Sequence, residues 1–238
     1  MRLKDLNFHD PEKKKKYNKE LFNVVAPKYD QVTRWLSFGR DRAWKRKMLN
    51  GMPGEGISNI LDLACGTGDI TAGLLKRYPQ SYIWGLDLNE AMLKIARKRV
   101  PQGKVQFLLK DMNQTGFETG SLDLVTGSYA LRNAPDIGVA LFEVYRVLKK
   151  GGKAYFLDFS KSPWKILAFL QLKMLYFWGS LWGWLLHRNK DIYAYLSESL
   201  AFFPDRRSLH QLCLEVGFKS VSSKKYFLGF IELLVLEK

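Results

Sequence analysis

Short apolar runs alternate with stretches of helical spacing through the centre of this chain. Runs at residues 58–63, 82–86, 105–109, 122–128 and 153–159 have the length and side-chain types of buried strands. Between them, apolar positions recur at helical spacing over 69–78, 90–99 and 135–148. That rhythm predicts a parallel sheet covered by helices on both faces. Upstream, Leu21, Phe22, Val24 and Val25, then Trp35, Leu36, Phe38, Trp44, Met48 and Leu49, predict two or three short helices over 20–50, interrupted at Pro27 and Gly39. Residues 1–20 are polar and lysine-rich and read as a mobile arm or a frayed helix, and 51–56 read as a loop.

Past the fifth strand the rhythm changes. Residues 163–187 are crowded with aromatics, including Trp164, Phe169, Tyr176, Phe177, Trp178, Trp182 and Trp184. The longest uncharged piece, 174–186, is shorter than the roughly 20 residues a bilayer requires, and Lys165 and Lys173 interrupt the segment. An interfacial helix or apolar lid suits it, with a buried core helix as the alternative. A helix over 204–216 and two strands, 219–224 and 227–236, complete the chain; their short separation implies antiparallel pairing at the sheet edge.

Composition adds a partner. The chain is 47% hydrophobic and 26% charged, as a folded protein is, and its formal net charge is +15. Residues 1–50 hold 14 Lys/Arg against 6 Asp/Glu, so the excess lies early. Such a field favours nucleic acid or the phosphates of a membrane surface, unless it is only a solvated basic face. Two cysteines, Cys65 and Cys213, make no disulfide framework, no Cys/His set has zinc spacing, and the N-terminus lacks the apolar core of a signal peptide. A cytoplasmic location without a metal is expected. One domain is expected throughout, made of N-terminal arm and helices (1–50), core (57–160), aromatic lid (161–203) and C-terminal helix with edge strands (204–238).

The chemistry starts at Ile60-Leu61-Asp62-Leu63-Ala64-Cys65-Gly66-Thr67-Gly68-Asp69, a strand running into a glycine turn and then a helix. Gly66 and Gly68 let the backbone bend and approach a ligand, and the helix N-terminus aims free N–H groups at it. A dinucleotide fingerprint needs a third small residue where Thr71 stands, and no Lys-Ser/Thr follows as in a P-loop. Asp62 and Asp69 flank the turn, which would repel a pyrophosphate but suits an ammonium and a sulfonium. S-adenosyl-L-methionine is such a ligand. Asp87 closes the second strand, where a carboxylate can accept both ribose hydroxyls, and Asp111-Met112 follows the third with an acceptor for the adenine amine beside an apolar wall. The fold class that emerges is α/β: a Rossmann-like seven-stranded, mostly parallel sheet with an antiparallel C-terminal hairpin, N-terminal helices and an aromatic-rich lid.

The fourth strand leads into Ser128-Tyr129-Ala130-Leu131-Arg132-Asn133. This block, the glycine turn and Gly85-Leu86-Asp87-Leu88-Asn89-Glu90-Ala91-Met92-Leu93 resemble the ubiquinone/menaquinone biosynthesis C-methyltransferases. So do Lys28-Tyr29-Asp30, Leu36-Ser37-Phe38-Gly39 and Tyr195-Leu196-Ser197-Glu198-Ser199. The resemblance implies that Thr67, Asp87, Asp111, Met112 and Ser128 contact S-adenosylmethionine, and that a polyprenylated quinol is methylated on a ring carbon. That chemistry calls for stabilised phenolate charge and an exit for the ring proton. Arg132 suits the oxyanion by charge and Asn133 by hydrogen bonding, and Tyr29 completes the donor set or relays a proton. His9, His187 and His210 read as surface residues.

A quinol methyltransferase meeting anionic lipid on the inner face of the membrane is therefore expected, with no nucleic-acid partner and with homo-oligomerisation left open. Two alternatives stand beside it. One is a methyltransferase of RNA, protein or another small molecule; base N-methylation would usually show Asn/Asp-Pro-Pro-aromatic after the fourth strand, where this chain has Ser128-Tyr129-Ala130-Leu131. A non-catalytic membrane-surface protein would not need acids at three strand ends.

Overall fold

The computed structural model describes residues 7–8, 10–101 and 103–238. Seven strands form one sheet: β1 (Asn59–Leu63), β2 (Tyr82–Asp87), β3 (Gln106–Leu109), β4 (Leu122–Ser128), β5 (Leu148–Phe159), β6 (Ser220–Tyr226) and β7 (Ile231–Glu237). Their order is β3-β2-β1-β4-β5-β7-β6, parallel from β3 to β5, with β7 antiparallel to both β5 and β6. The chain reverses its direction of travel across the sheet between β1 and β4. A crevice opens there, past the carboxyl ends of the strands, where ligands of such sheets bind.

The helices sort by what they cover. On β5, Ala154 and Phe156 face one side of the sheet while Tyr155 and Leu157 face the other. The first side packs on α6 (Ile137–Val147) and α9 (Arg206–Val216), and the second on α3 (Asp41–Asn50) and α4 (Asp69–Arg77). The expected strands and helices stand within a few residues of their sequence positions, except that β5 starts five residues earlier, at Leu148, across a bulge in its pairing with β4.

Of residues 1–20, read as a mobile arm or a frayed helix, the part from Pro11 onward is a well-formed helix. It is α1 (Pro11–Val25), capped by Asp10, whose side chain accepts from Lys13 N. Lys13, Lys16 and Lys19 are exposed, Lys14 and Lys15 reach inward to Ala134 O and Asp111, and Tyr17, Asn18, Leu21 and Val25 are buried against α5 (Glu90–Arg99) and α8 (Asp191–Phe202). After a single 3₁₀ turn at Pro27, α2 (Tyr29–Leu36) completes a helical cap over the crevice. Residues 1–6 and His9 lie outside the described residues.

The aromatic stretch forms α7 (Lys165–His187), which is an exposed helix and not a core one. It buries one narrow face, Gln171, Leu175, Gly179 and Gly183, against α8. Two glycines four apart let the backbones meet: a Cβ at Gly179 would stand 2.4 Å from Tyr193 O, and one at Gly183 2.6 Å from Asn189 O. Gly179→Val is accordingly expected to cost about 1–3 kcal/mol of folding free energy through overpacking. Urea denaturation measures it; an unchanged midpoint would show that the two helices yield freely. Among the described residues, no helix is long and apolar enough to cross a membrane.

Candidate active site

Backbone strain shapes the crevice at the ends of β1 and β4. Ala64 and Tyr129 both adopt the left-handed conformation (φ 51° and 58°), which costs a residue with a side chain about 1–2 kcal/mol. At β1 the turn continues through Gly66 (φ 54°) and Gly68 (φ 77°). Gly68 N donates to Cys65 O at 2.9 Å, and a Cβ on Gly68 would lie 2.9 Å from Ala96 Cβ on α5. Gly68 therefore serves close packing at the start of α4. Gly66 has open space where a Cβ would stand, and its N–H donates to Asp87 Oδ2 at 2.8 Å.

Three cavities meet in the crevice. One of about 80 Å³ gathers Gly66, Asp87, Asp111, Met112 and Ser128, with Lys15, Asn18 and Tyr29 closing it from the cap. A smaller one of about 20 Å³ brings Asp62, Thr67 and Asp69 together with Gly66, Ser128 and Lys45. The third, about 370 Å³, is lined almost wholly by aliphatic and aromatic side chains, and Arg132 and Asn133 stand on its wall. Tyr29 and Tyr129 border all three, and Asn133 borders the first and third. Of the eleven residues singled out from sequence, ten line these cavities; Gly68 does not.

The carboxylates differ in environment. Asp62 is buried in β1 beneath the turn and accepts from Thr71 Oγ1 (2.5 Å) and Thr126 Oγ1 (2.8 Å); burial nevertheless pushes its pKa up to about 7. Asp87 accepts from Gly66 N and Asn89 N, both at 2.8 Å, and burial raises its pKa to about 6. Asp111 accepts from Asn113 N at 2.9 Å and pairs with Lys15 at 2.7 Å. Thr67 donates to Asp30 Oδ1 at 2.6 Å, and Asp30 in turn pairs with Arg99. Lys45 donates to Asp69 at 2.5 Å; burial alone would lower its pKa, but Asp69 and the neighbouring Tyr29 and Asp41 raise it.

Around the large cavity the polar groups are few and fixed. Arg132 is buried, its guanidinium lying over the rings of Phe159 (5.3 Å) and Tyr195 (5.9 Å). Its backbone N–H donates to Asp158 Oδ2 at 3.1 Å, its Nη1 donates to Ser199, and its Nε is 3.8 Å from Asp158 Oδ1. Among the described residues that Nε has no hydrogen-bond acceptor. Asn133 donates through Nδ2 to Tyr129 O (2.9 Å) and accepts at Oδ1 from the Tyr195 hydroxyl (3.2 Å). Asn18 of α1 holds the same turn, donating to Asn133 O at 2.9 Å. Burial pushes the Tyr29 hydroxyl up to about 12, so it stays a neutral donor well beyond physiological pH.

The histidines stand apart from this chemistry. His187 is within 3.0 Å of the Tyr193 hydroxyl and His210 within 2.8 Å of Glu232, so both are half-buried and bonded and not free surface residues. No metal-ligating cluster occurs among the described residues.

The functional neighbours that sequence reasoning missed are Asp158, Lys45, Lys15 and Asn18. Asp158 had a signal, because it lies near the carboxyl end of a parallel strand as Asp87 does. Lys15 and Asn18 had none within a lysine run.

S-adenosylmethionine fits the donor set on two observations. Ser128 Oγ is buried on the wall of both smaller cavities without a partner, which calls for a polar ligand atom. Gly66 leaves the cradle open where any side chain would project. If Asp87 accepts from that ligand as a carboxylate, the sign of the pH dependence follows. In the empty site the acid is protonated below about pH 6, so affinity is expected to fall about tenfold per pH unit below that point and to level off above it. Calorimetry between acid and neutral pH measures this; a flat profile would mean that Asp87 does not change charge on binding.

Comparison with known proteins places the chain in a family and a fold. The sequence profile of the ubiE/COQ5 methyltransferase family matches residues 11–235. The ubiquinone/menaquinone biosynthesis C-methyltransferase UbiE of Desulfotalea psychrophila is 34% identical over 213 residues, covering 89% of this chain and 86% of that protein. The 2-phytyl-1,4-naphtoquinone methyltransferase of Nostoc punctiforme is 34% identical over 92% of this chain and 96% of its own. In fold, a SAM-dependent methyltransferase of Thermotoga maritima superposes with a TM-score of 0.61 at 20% identity, covering 92% of this chain and 99% of that one.

Proposed function

The chain belongs to the ubiE/COQ5 methyltransferase family, and from that premise we propose that it methylates a ring carbon of a polyprenylated quinol drawn from a membrane surface. One observation carries the reading: Tyr29, Tyr129 and Asn133 form a wall shared by the polar cleft and the large apolar cavity. A reactant on each side of that wall would be in contact at its edge.

Bound S-adenosylmethionine supplies an electrophilic methyl on a sulfonium. Asp87 would hold its ribose, Asp111 and Met112 its adenine, and Gly66, Thr67 and Ser128 the part nearest the turn. Asp62 supports the turn from beneath, through Thr71 and Thr126. On the other side, the apolar walls would exclude water from a quinol ring and the start of its tail. Arg132 contributes a buried positive charge on the wall of the large cavity, and a fixed cation there would stabilise the phenolate oxygen far more than in water. Asn133 keeps one amide hydrogen beyond its bond to Tyr129. Tyr29, with its raised pKa, suits donation to the oxyanion better than removal of a proton.

The test incubates the chain with S-adenosylmethionine and demethylated prenyl naphthoquinol or benzoquinol carried in vesicles, followed by mass spectrometry. One quinol gaining a methyl group is expected, and the ring that does so identifies the substrate. Cofactor binding with neither quinol modified would contradict the proposal.

A further inference from the structure

The large cavity has a mouth, and what surrounds the mouth points to its partner. Met174, Phe177 and Leu181 of α7 line the cavity yet are exposed, as is Phe38 of the loop after α2. Those four mark where a tail longer than the cavity must leave. Phe38 stacks on Trp178 (5.0 Å) and lies 5.8 Å from Phe227, so the turn between β6 and β7 forms the opposite rim.

From the rim outward the surface stays apolar. Ile166, Phe169, Leu170, Phe177, Leu181 and Trp184 project from one side of α7, opposite the face that packs on α8. Ile166 is 77% exposed and Phe177 68% exposed, so this stripe covers no core. At the turn, Phe227 and Leu228 are both left-handed (φ 49° and 55°), and the strained backbone holds Leu228 out at 96% exposure. Large apolar patches of this kind on a folded chain mark interaction sites.

The charges around the patch choose among occupants. Residues 161–190 contain five Lys/Arg and no Asp/Glu, and Arg40 lies over the Phe227 ring at 5.8 Å. A second copy of this chain, joined symmetrically, would bring like charges together. A protein cover would also close the exposed rim of Phe38, Met174, Phe177 and Leu181 through which a prenyl tail would enter. A lipid surface with anionic headgroups answers both the apolar stripe and its basic flanks.

We propose that α7, Phe38 and Leu228 form one membrane-docking face, with α7 lying in the plane of the interface so that the cavity mouth opens into the acyl layer. Trp164 and Trp184, near the two ends of α7, are both exposed and take headgroup-level positions. This proposal rests on the quinol reading only for the tail; the docking itself does not require it.

The experiment compares the full chain with Phe169→Ser/Trp184→Ser/Leu228→Ser, whose three sites are exposed and do not line the cavity. Vesicles of phosphatidylcholine alone, and of phosphatidylcholine with about a third phosphatidylglycerol, are floated with each protein. The unaltered chain is expected to bind the anionic vesicles and to show tryptophan quenching by lipids brominated in the acyl chains. The variant should partition more than about tenfold less well and still bind S-adenosylmethionine. It should also still methylate a short-tailed, water-soluble quinol while losing activity on a long-tailed quinol in vesicles. Equal partitioning of both proteins, or none by the unaltered chain, would overturn the proposal. So would a dimer in sedimentation equilibrium that the variant loses, without vesicle binding. If neither quinol is methylated the substrate reading falls, and vesicle partitioning alone still decides this one.

Discussion

Replacing Arg132 by methionine is expected to lower kcat by about 10²–10³-fold, the usual cost of removing one preorganised donor at a developing oxyanion. The affinity for S-adenosylmethionine should stay within a few-fold, because Arg132 borders the apolar cavity and neither of the smaller ones. The single substitution has a second consequence. Asp158 is buried beside Arg132, and burial already holds its pKa above the ordinary value even with the guanidinium present. Without that partner its charge is uncompensated, and loss of one member of such a pair costs about 3–5 kcal/mol. A collapse in activity could then reflect unfolding. The informative protein is Arg132→Met/Asp158→Asn, which removes both charges and should recover much of the stability but none of the turnover. Arg132→Lys should fall between, since an ammonium keeps the charge and loses the planar fork that spans Asp158 and Ser199. Steady-state kinetics beside a denaturant melt separates the two effects. Recovery of turnover in the double variant would show that Arg132 acts only by balancing Asp158.

Asp87→Asn should have the opposite signature: cofactor affinity weaker by about a hundredfold, with stability little changed. A carboxylate accepting from two ribose hydroxyls makes two charge-assisted hydrogen bonds, each worth about 1.5–3 kcal/mol, and the amide retains at best one acceptor. For stability, the folded-state pKa of about 6 lies above the ordinary value of 3.8. The folded protein therefore holds this proton to higher pH than the unfolded chain, and the group's contribution is most favourable below the ordinary value and is lost as pH rises through about 6. At neutral pH the ionised acid thus works against folding, so neutralising it offsets the loss of one bond from Gly66 N or Asn89 N. Calorimetric titration and thermal melts of the two proteins test both halves. A variant that melts far below the parent yet binds normally would mean that Asp87 serves the turn and not the ligand.

Arg132 and Asp87 could be picked out before the fold was known, though Asp158 was not, and the reason is physical. Parallel strands buried on both faces must be short continuous apolar runs, so 82–86 and 122–128 announce β2 and β4 and place Asp87 and Ser128 at the same sheet edge. The cap was less legible. The lysines of α1 obscure a buried face of Tyr17, Asn18, Leu21 and Val25, and only tertiary packing makes that segment a helix with a site role. In α8 the buried Tyr193, Ala194, Tyr195, Ser197, Ser199 and Leu200 leave no clean polar face, so helical periodicity is blurred there. The ambiguity of α7 has the same origin: a helix apolar on every side reads alike as core, lid or interface, and two glycines decided which face turned inward. Sequence spacing also cannot show a contact such as Arg132 with Asp158 and Ser199, whose members come from three separate elements.

The proposed reaction requires this site to deliver a methyl group to carbon and not to oxygen. Incubating the chain with S-adenosylmethionine deuterated at the methyl, and then locating the label in the product by fragmentation and proton NMR, addresses it directly. A labelled methyl on the ring carbon beside a free phenolic hydroxyl is the expected result. A label on the phenolic oxygen, or a bound cofactor that never gives up its label, would contradict it.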